Sequence, residues 1–158
     1  MFFQLLTESD DAALAVLIRR ILKAHRLDIP GTVYYDEALD HLSSFYNEDP
    51  EHRAYYVLVE EGEPAGGIGL AELPFFENCC ELQKLYLSES LQGRGIGYQM
   101  ISLIEEQARL RGYQRIYLET HTNLEAAIHI YEKSGYREIP RPEAVVHSTM
   151  NRFYLKEL

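Results

Sequence analysis

Residues Ser90 to Gly97 read SLQGRGIG, with glycines at 93, 95 and 97 where an apolar, strand-like run gives way to a helix-like one. Glycine lets backbone come close to a ligand and costs stability elsewhere, so a cluster of this kind points to a bound group. A strand that delivers consecutive N–H groups into a helix N-terminus makes a concave anion site, and the ligand that suits it is a phosphate ester. A nucleoside-triphosphate loop requires GxxxxGK[ST], which this stretch does not follow. A dinucleotide loop requires GxGxxG, and Tyr98 stands where its third glycine belongs. Taken alone, the glycine spacing fits a bare strand-to-helix turn as well as a ligand loop.

The elements that must position this loop follow from periodicity. Phe2 to Leu6 reads as a strand, and Thr7 or Ser9 can cap a helix whose apolar positions are Leu14, Leu17, Ile18 and Ile21. Pro30 and Gly31 break the pattern, and a second helix is expected at about residues 36–46. AYYVLVEE and AGGIGLAEL around the turn EGEP predict a hairpin. ELQKLYL, from Glu81 to Leu87, is a strand leading into the glycine loop, and Ile96, Met100, Leu103, Ile104 and Ala108 stripe the helix that follows. Gly112 ends that helix, QRIYLET is a strand, NLEAAIHIYEKSG is a helix stopped by Gly135, and YREI and NRFYLKEL close the chain as strands. The order β-α-α-β-β-β-α-β-α-β-β predicts an α/β layered domain.

Composition narrows the function. The 158 residues fit one domain large enough to bury its own core. A net charge of −10 argues against a nucleic-acid surface. Residues 1–64 carry 13 acidic and 5 basic side chains, so the acidity gathers in the N-terminal part, which serves solubility or attracts a cationic substrate. Acidic residues interrupt the first apolar run, so neither a signal peptide nor a membrane span is expected, and the default location is cytoplasmic. Cys79 and Cys80 are adjacent, which excludes CxxC spacing, and the six histidines form no HExxH, so no metal site is expected.

From Glu81 to Tyr136, about a third of the chain, the sequence resembles the GNAT superfamily of acyl-CoA-dependent N-acetyltransferases. Its strand-to-helix motif [QR]xxGx[GA] is met by Gln92, Gly95 and Gly97. Its second signature, Asn and Ala followed by an aromatic-rich helix ending in Gly-Phe or Gly-Tyr, is met by Asn123, Ala126, Ala127, Tyr131, Gly135 and Tyr136. The resemblance implies a single GNAT-like domain over residues 1–158, with a mixed, mostly antiparallel sheet flanked by helices. It implies acetyl-CoA as co-substrate, its pyrophosphate held by the backbone of Gln92, Gly93, Arg94, Gly95, Ile96, Gly97 and Tyr98. The pantetheine arm would run along Leu85, Tyr86 and Leu87, with the Leu85 N–H polarising the thioester carbonyl. One departure is Ser88-Glu89-Ser90, where family members often carry a proline.

By the same resemblance Tyr131 protonates the leaving thiolate, although its helical face also fits core packing. Asn123 contacts the cofactor or fixes the start of its helix. Glu81, eleven residues before Gln92, is the candidate base that deprotonates the amine, with Glu119 and His121 as rivals. The acceptor, a small-molecule or peptide amine, would enter between HRLDIPGTVYYDE and IPRPEAVVHSTMN, where Tyr34, Tyr35, Asp36 and Glu37 offer cation–π and ionic contacts. A non-catalytic acyl-CoA-binding or sensing module of the same fold is the competing expectation, and closing strands at a sheet edge could pair two copies into a homodimer.

Overall fold

The computed structural model describes residues 1–158. Seven strands form one sheet: β1 (Phe2–Leu5), β2 (Ala54–Glu60), β3 (Glu63–Glu72), β4 (Cys79–Leu87), β5 (Arg115–Thr120), β6 (Arg137–Ile139) and β7 (Arg152–Glu157). Their spatial order is β1-β2-β3-β4-β5-β7-β6, so the last strand inserts between β5 and β6. Every pairing is antiparallel except β4 with β5. Four α-helices flank the sheet: α1 (Asp11–Ala24), α2 (Leu42–Glu48), α3 (Ile96–Leu110) and α4 (Glu125–Lys133).

Both faces of the sheet are buried. Against one pack α1 and α2, where Leu14, Ile18, Leu22, Tyr46, Tyr55 and Val57 lose nearly all contact with water. Against the other pack α3 and α4, through Met100, Ile104, Ala108, Ile128 and Tyr131 over Leu58, Ile68, Leu82, Ile116 and Leu118. Each buried leucine or isoleucine contributes about 1.5–3 kcal/mol, which is why the periodic positions decide the fold. The α1 stripe read from the sequence is wholly inside. On α3 Leu103 is only half-buried and Glu105 is buried in its neighbourhood, its carboxylate held by Lys156 at 2.6 Å.

The second helix differs from its expected form. Residues Glu37–His41 make a 3-10 turn, capped by the Asp36 carboxylate accepting from the Ala38 N–H at 2.9 Å, and α2 starts only at Leu42. That carboxylate competes with an α-helical start there, and the buried Asp11 accepts from the Ser43 N–H and hydroxyl to fix where α2 begins. The β2–β3 hairpin turns on Glu61 and Gly62, with Glu63 and Pro64 already in β3.

Two irregularities open the molecule. The β4–β5 register runs from Cys79↔Arg115 to Glu81↔Tyr117 and stops, although β4 continues to Leu87. Beyond Glu81 the two parallel strands part. On its other side β4 bulges: Gly67 faces Tyr86 and Gly69 faces Gln83, so Lys84 and Leu85 share the place of one residue. Lys84 takes φ 51°, rare for a side chain with a Cβ, and the buried Tyr55 hydroxyl holds it by donating to the Lys84 carbonyl at 2.8 Å. Tyr55 reaches that carbonyl by lying across glycines. A Cβ on Gly69 would sit 2.6 Å from its ring, and one on Gly67 would sit 2.8 Å from Cζ and closer still to Cε1.

Candidate active site

The parting of β4 from β5 opens a cavity of about 300 Å³. Its walls come from β4, from Glu119 and Thr120 on β5, from Ala127, Ile130 and Tyr131 on α4, and from α1 with the loop after it. Ser148 and Met150, on the loop between β6 and β7, complete it. This loop leads from β6 at the sheet edge back to β7, which lies between β5 and β6.

At one end lies the glycine loop, of which Gln92 and Gly97 line the cavity while Gly93, Arg94, Gly95, Ile96 and Tyr98 lie beyond its wall. Gly93 and Gly95 have φ of 73° and 75°, a left-handed conformation that suits glycine, and a Cβ on either would meet nothing, so backbone conformation is their constraint. Gly97 has a different one: a Cβ there would lie 2.5 Å from Ile130 Cδ1, so it lets α3 pack against α4. The N–H groups of Gly93, Arg94, Gly95, Ile96, Gly97 and Tyr98 find no acceptor in the chain; the first helical bond at this end is Gln99 N–H to the Gly95 carbonyl. Six successive free amides at a helix N-terminus, with Gln92, Gly93, Arg94, Gly95 and Tyr98 exposed, form a donor array for an anion. The Gln92 side chain ties this loop to the Leu87 carbonyl at 3.3 Å.

At the other end stand two carboxylates. Glu81, the last residue paired to β5, accepts from Gln83 Nε2 at 3.1 Å, and the Gln83 amide oxygen accepts from the Tyr46 hydroxyl at 2.7 Å, which fixes the amide's orientation. Burial pushes the Glu81 carboxyl above its ordinary range; Gln83 pulls it back, Glu119 across the split raises it, and Lys84 lowers it. Glu119 accepts from the Tyr117 hydroxyl at 2.8 Å and from the Ser148 hydroxyl at 3.1 Å. A carboxylate raised by burial is a competent proton acceptor near neutral pH.

Between the two ends lie Leu85, Tyr86, Leu87 and Tyr131, all on the cavity wall. The bulge leaves Leu85 without a cross-strand partner. The Tyr131 ring is 5% exposed and packs near Tyr136 and Tyr154, and burial pushes its hydroxyl well above the ordinary tyrosine range. That hydroxyl stays protonated at neutral pH and makes no hydrogen bond within the chain, so it can donate into the cavity.

The remaining expected site residues fall elsewhere. Asn123 does not cap α4: its side-chain amide donates to the His25 carbonyl at 3.0 Å, clamping the end of α1, and Leu124 occupies the capping position without a side-chain bond. His121 accepts the Asn123 N–H at Nδ1 and lies outside the cavity lining, so of the two rivals to Glu81 only Glu119 is there. Tyr34, Tyr35, Asp36 and Glu37 do not line it either, whereas His25, Thr32 and Val33 do. Sequence reasoning missed Lys84, on the wall beside Glu81, because the bulge that presents it leaves no mark in an alternating strand pattern. No cluster of three or more His, Cys, Asp or Glu side chains is arranged to hold a metal ion, and no helix is long and apolar enough to cross a membrane.

Known proteins share this fold. Residues 19–136 match the Acetyltransferase (GNAT) family. The chain is 39% identical over 136 residues to the uncharacterized N-acetyltransferase YjgM of Escherichia coli (strain K12), an alignment covering 85% of this chain and 80% of that one. A GNAT-family acetyltransferase from Staphylococcus aureus Mu50 superimposes with a TM-score of 0.86 over 99% of this chain and 98% of its own, at 21% identity. The PaiA N-acetyltransferase of Thermoplasma acidophilum, solved in complex with coenzyme A, superimposes with a TM-score of 0.72 over all of both chains, at 17% identity. With the family matched over most of its length and a relative aligned along four-fifths of its own, this chain belongs to the GNAT family of N-acetyltransferases.

Proposed function

We propose that the protein transfers an acetyl group from acetyl-CoA directly to a primary amine, as a cytoplasmic enzyme. The observation that carries this reading is one cavity that reaches the glycine loop at Gln92 and Gly97, beside a run of six free amides, with two carboxylates at its other end and an unpaired strand edge between them. Acetyl-CoA supplies an activated acyl group as a thioester. The amides of Gly93 to Tyr98 receive its pyrophosphate, and the freed edge of β4 at Leu85 to Leu87 receives its pantetheine arm as an added strand. The Leu85 N–H, at the bulge where the strand register shifts, is the donor for negative charge developing on the acyl oxygen.

An alkylammonium with a pKa of about 10.4 must lose a proton before it can attack, and Glu81 takes it. The sulfur that leaves needs a proton in turn, and the Tyr131 hydroxyl offers a hydrogen bond to it. Transfer without a covalent enzyme intermediate is supported by the cysteines: Cys79 and Cys80 are buried off the cavity wall, where burial pushes their thiols up to about 11 and about 12.

Thermal-shift titration tests this reading first. Acetyl-CoA and CoA are expected to raise Tm by roughly 5–10 °C at concentrations about 100-fold above Kd, whereas ATP and NAD leave it unchanged. No shift with either CoA species, or an equal shift with ATP, refutes it. Turnover of an amine panel, read by mass spectrometry of the acetylated product, then tests Tyr131. Tyr131→Phe is expected to lower kcat about 100-fold with little change in acetyl-CoA affinity, and an unchanged kcat removes the tyrosine from the mechanism.

A further inference from the structure

Lys84 is the one basic side chain of β4, and it lines the transfer cavity. The bulge that presents it has a cost, because a residue with a Cβ sits less easily at φ 51° than in an ordinary strand. Its ammonium lies 5.9 Å from the centre of the Tyr46 ring, which puts it on the α1–α2 side of the sheet. It forms no ion pair and donates no hydrogen bond within the chain. Two carboxylates face it without pairing to it: Glu81, which accepts from Gln83, and Asp36, which caps the 3-10 turn at Ala38. Burial pulls the lysine below its ordinary range, with Glu81 and Asp36 pulling it back toward the charged form.

A cation drawn out of water at the expense of strain, facing carboxylates but in ion-pair contact with none, has donors free for an anionic ligand. The same cavity carries Glu81 and Glu119, which suit the amine. It therefore offers negative groups at the end away from the glycine loop and a positive group on β4, on the side of the sheet that α1 and α2 cover, a pattern complementary to a molecule that is both an amine and an acid. A purely cationic acceptor, such as a polyamine, would meet Lys84 as a like charge.

We infer that Lys84 binds a carboxylate of the acceptor, so that the enzyme acetylates amino acids or other carboxylate-bearing amines in preference to simple amines. The inference rests on the acetyl-transfer reading above and narrows its acceptor class. Lys84 acts in binding and not in proton transfer. A carboxylate on the acyl group is the other source of the same chemistry, and an acidic acyl donor separates the two.

The test uses matched amines: amino acids beside their carboxamides and their decarboxylated amines, each with acetyl-CoA and with succinyl-CoA. The wild type is expected to favour the carboxylate member of each pair in kcat/KM. In Lys84→Met, which keeps the apolar stem, the ratio within each pair is expected to fall about 10- to 100-fold, the range of a charge-assisted hydrogen bond, and Lys84→Arg is expected to restore part of it. A wild-type preference for the carboxylate-free members, or an equal loss for both members in Lys84→Met, overturns the inference. So does a preference for succinyl-CoA that depends on Lys84 when the amine carries no carboxylate.

Thermal stabilisation by the amines alone, without any CoA, provides a second reading that does not require turnover. Carboxylate-bearing members are expected to raise Tm in the wild type and not in Lys84→Met, and stabilisation that ignores the substitution counts against the inference. Failure of acetyl-CoA to bind at all refutes the acetyl-transfer reading instead, so the two failures are told apart.

Discussion

Glu81→Gln is expected to lower kcat/KM for amine acetylation by roughly 10²- to 10⁴-fold, the usual worth of a positioned proton acceptor, while acetyl-CoA affinity holds. The amide keeps the shape and still accepts from Gln83, so the loss isolates the missing base. The pH profile provides the sharper reading. In the wild type, activity rises with pH as Glu81 ionises, at a pKa above that of a free glutamate because burial and Glu119 both oppose its charge. In Glu81→Gln that acidic limb is expected to disappear.

Stability is expected to move the other way. A carboxyl whose folded-state pKa is raised binds its proton more tightly when folded. It therefore stabilises the fold below the unfolded pKa of about 4.3 and loses that contribution as pH rises through the folded value. Glutamine never ionises. The Tm of Glu81→Gln should match the wild type near pH 4 and exceed it increasingly toward pH 8. Equal Tm values across that range, or an acid limb that survives the substitution, would assign the proton to Glu119 or to water.

Gly67→Ala is expected to be the most damaging single methyl group in the sheet. Its Cβ would fall against the Tyr55 ring, which is buried and anchored through its hydroxyl to the Lys84 carbonyl. Overpacking of this kind costs about 1–3 kcal/mol, or roughly 2–12 °C in Tm for a domain of this size. The larger consequence falls on activity. Displacing Tyr55 releases the bulge, so Leu85 and Lys84 lose their presentation to the cavity and kcat is expected to fall more than stability accounts for. A double-mutant cycle with Tyr55→Ala checks the cause. With the ring gone, adding Ala at 67 should cost little further, and strictly additive losses would disprove the contact as the mechanism.

The parts of the fold that follow from local rules are readable in the sequence. Burial of Leu14, Leu17, Ile18 and Ile21 follows from a 3.6-residue period, and β4 from the run ending at Leu87, because apolar spacing and packing demand the same thing there. The glycine loop was legible for the same reason, since Gly93 and Gly95 need a backbone that other residues avoid. Reading Gly97 as a ligand contact from spacing misses its packing against Ile130, because a distant helix sets that requirement. Lys84 shows the deeper limit: its direction depends on Gly67, Gly69 and Tyr55 acting together across two neighbouring strands. Asn123 likewise spends its amide on His25, 98 positions away, and nothing in its local motif announces that partner.

The adjacent cysteines at the head of β4 face opposite ways, Cys79 toward Tyr117 and Phe153, Cys80 toward the α3 side of the sheet. Both are nearly sealed from water, at 2% and 0% exposure, and both resist ionisation. Reagents that detect sulfhydryl groups by colour react with the exposed thiolate, so the native enzyme contributes almost no background to them. Continuous colorimetric monitoring of CoA release is therefore open without mutating either cysteine. In denaturant the same two side chains become a built-in unfolding reporter, one on each side of the sheet.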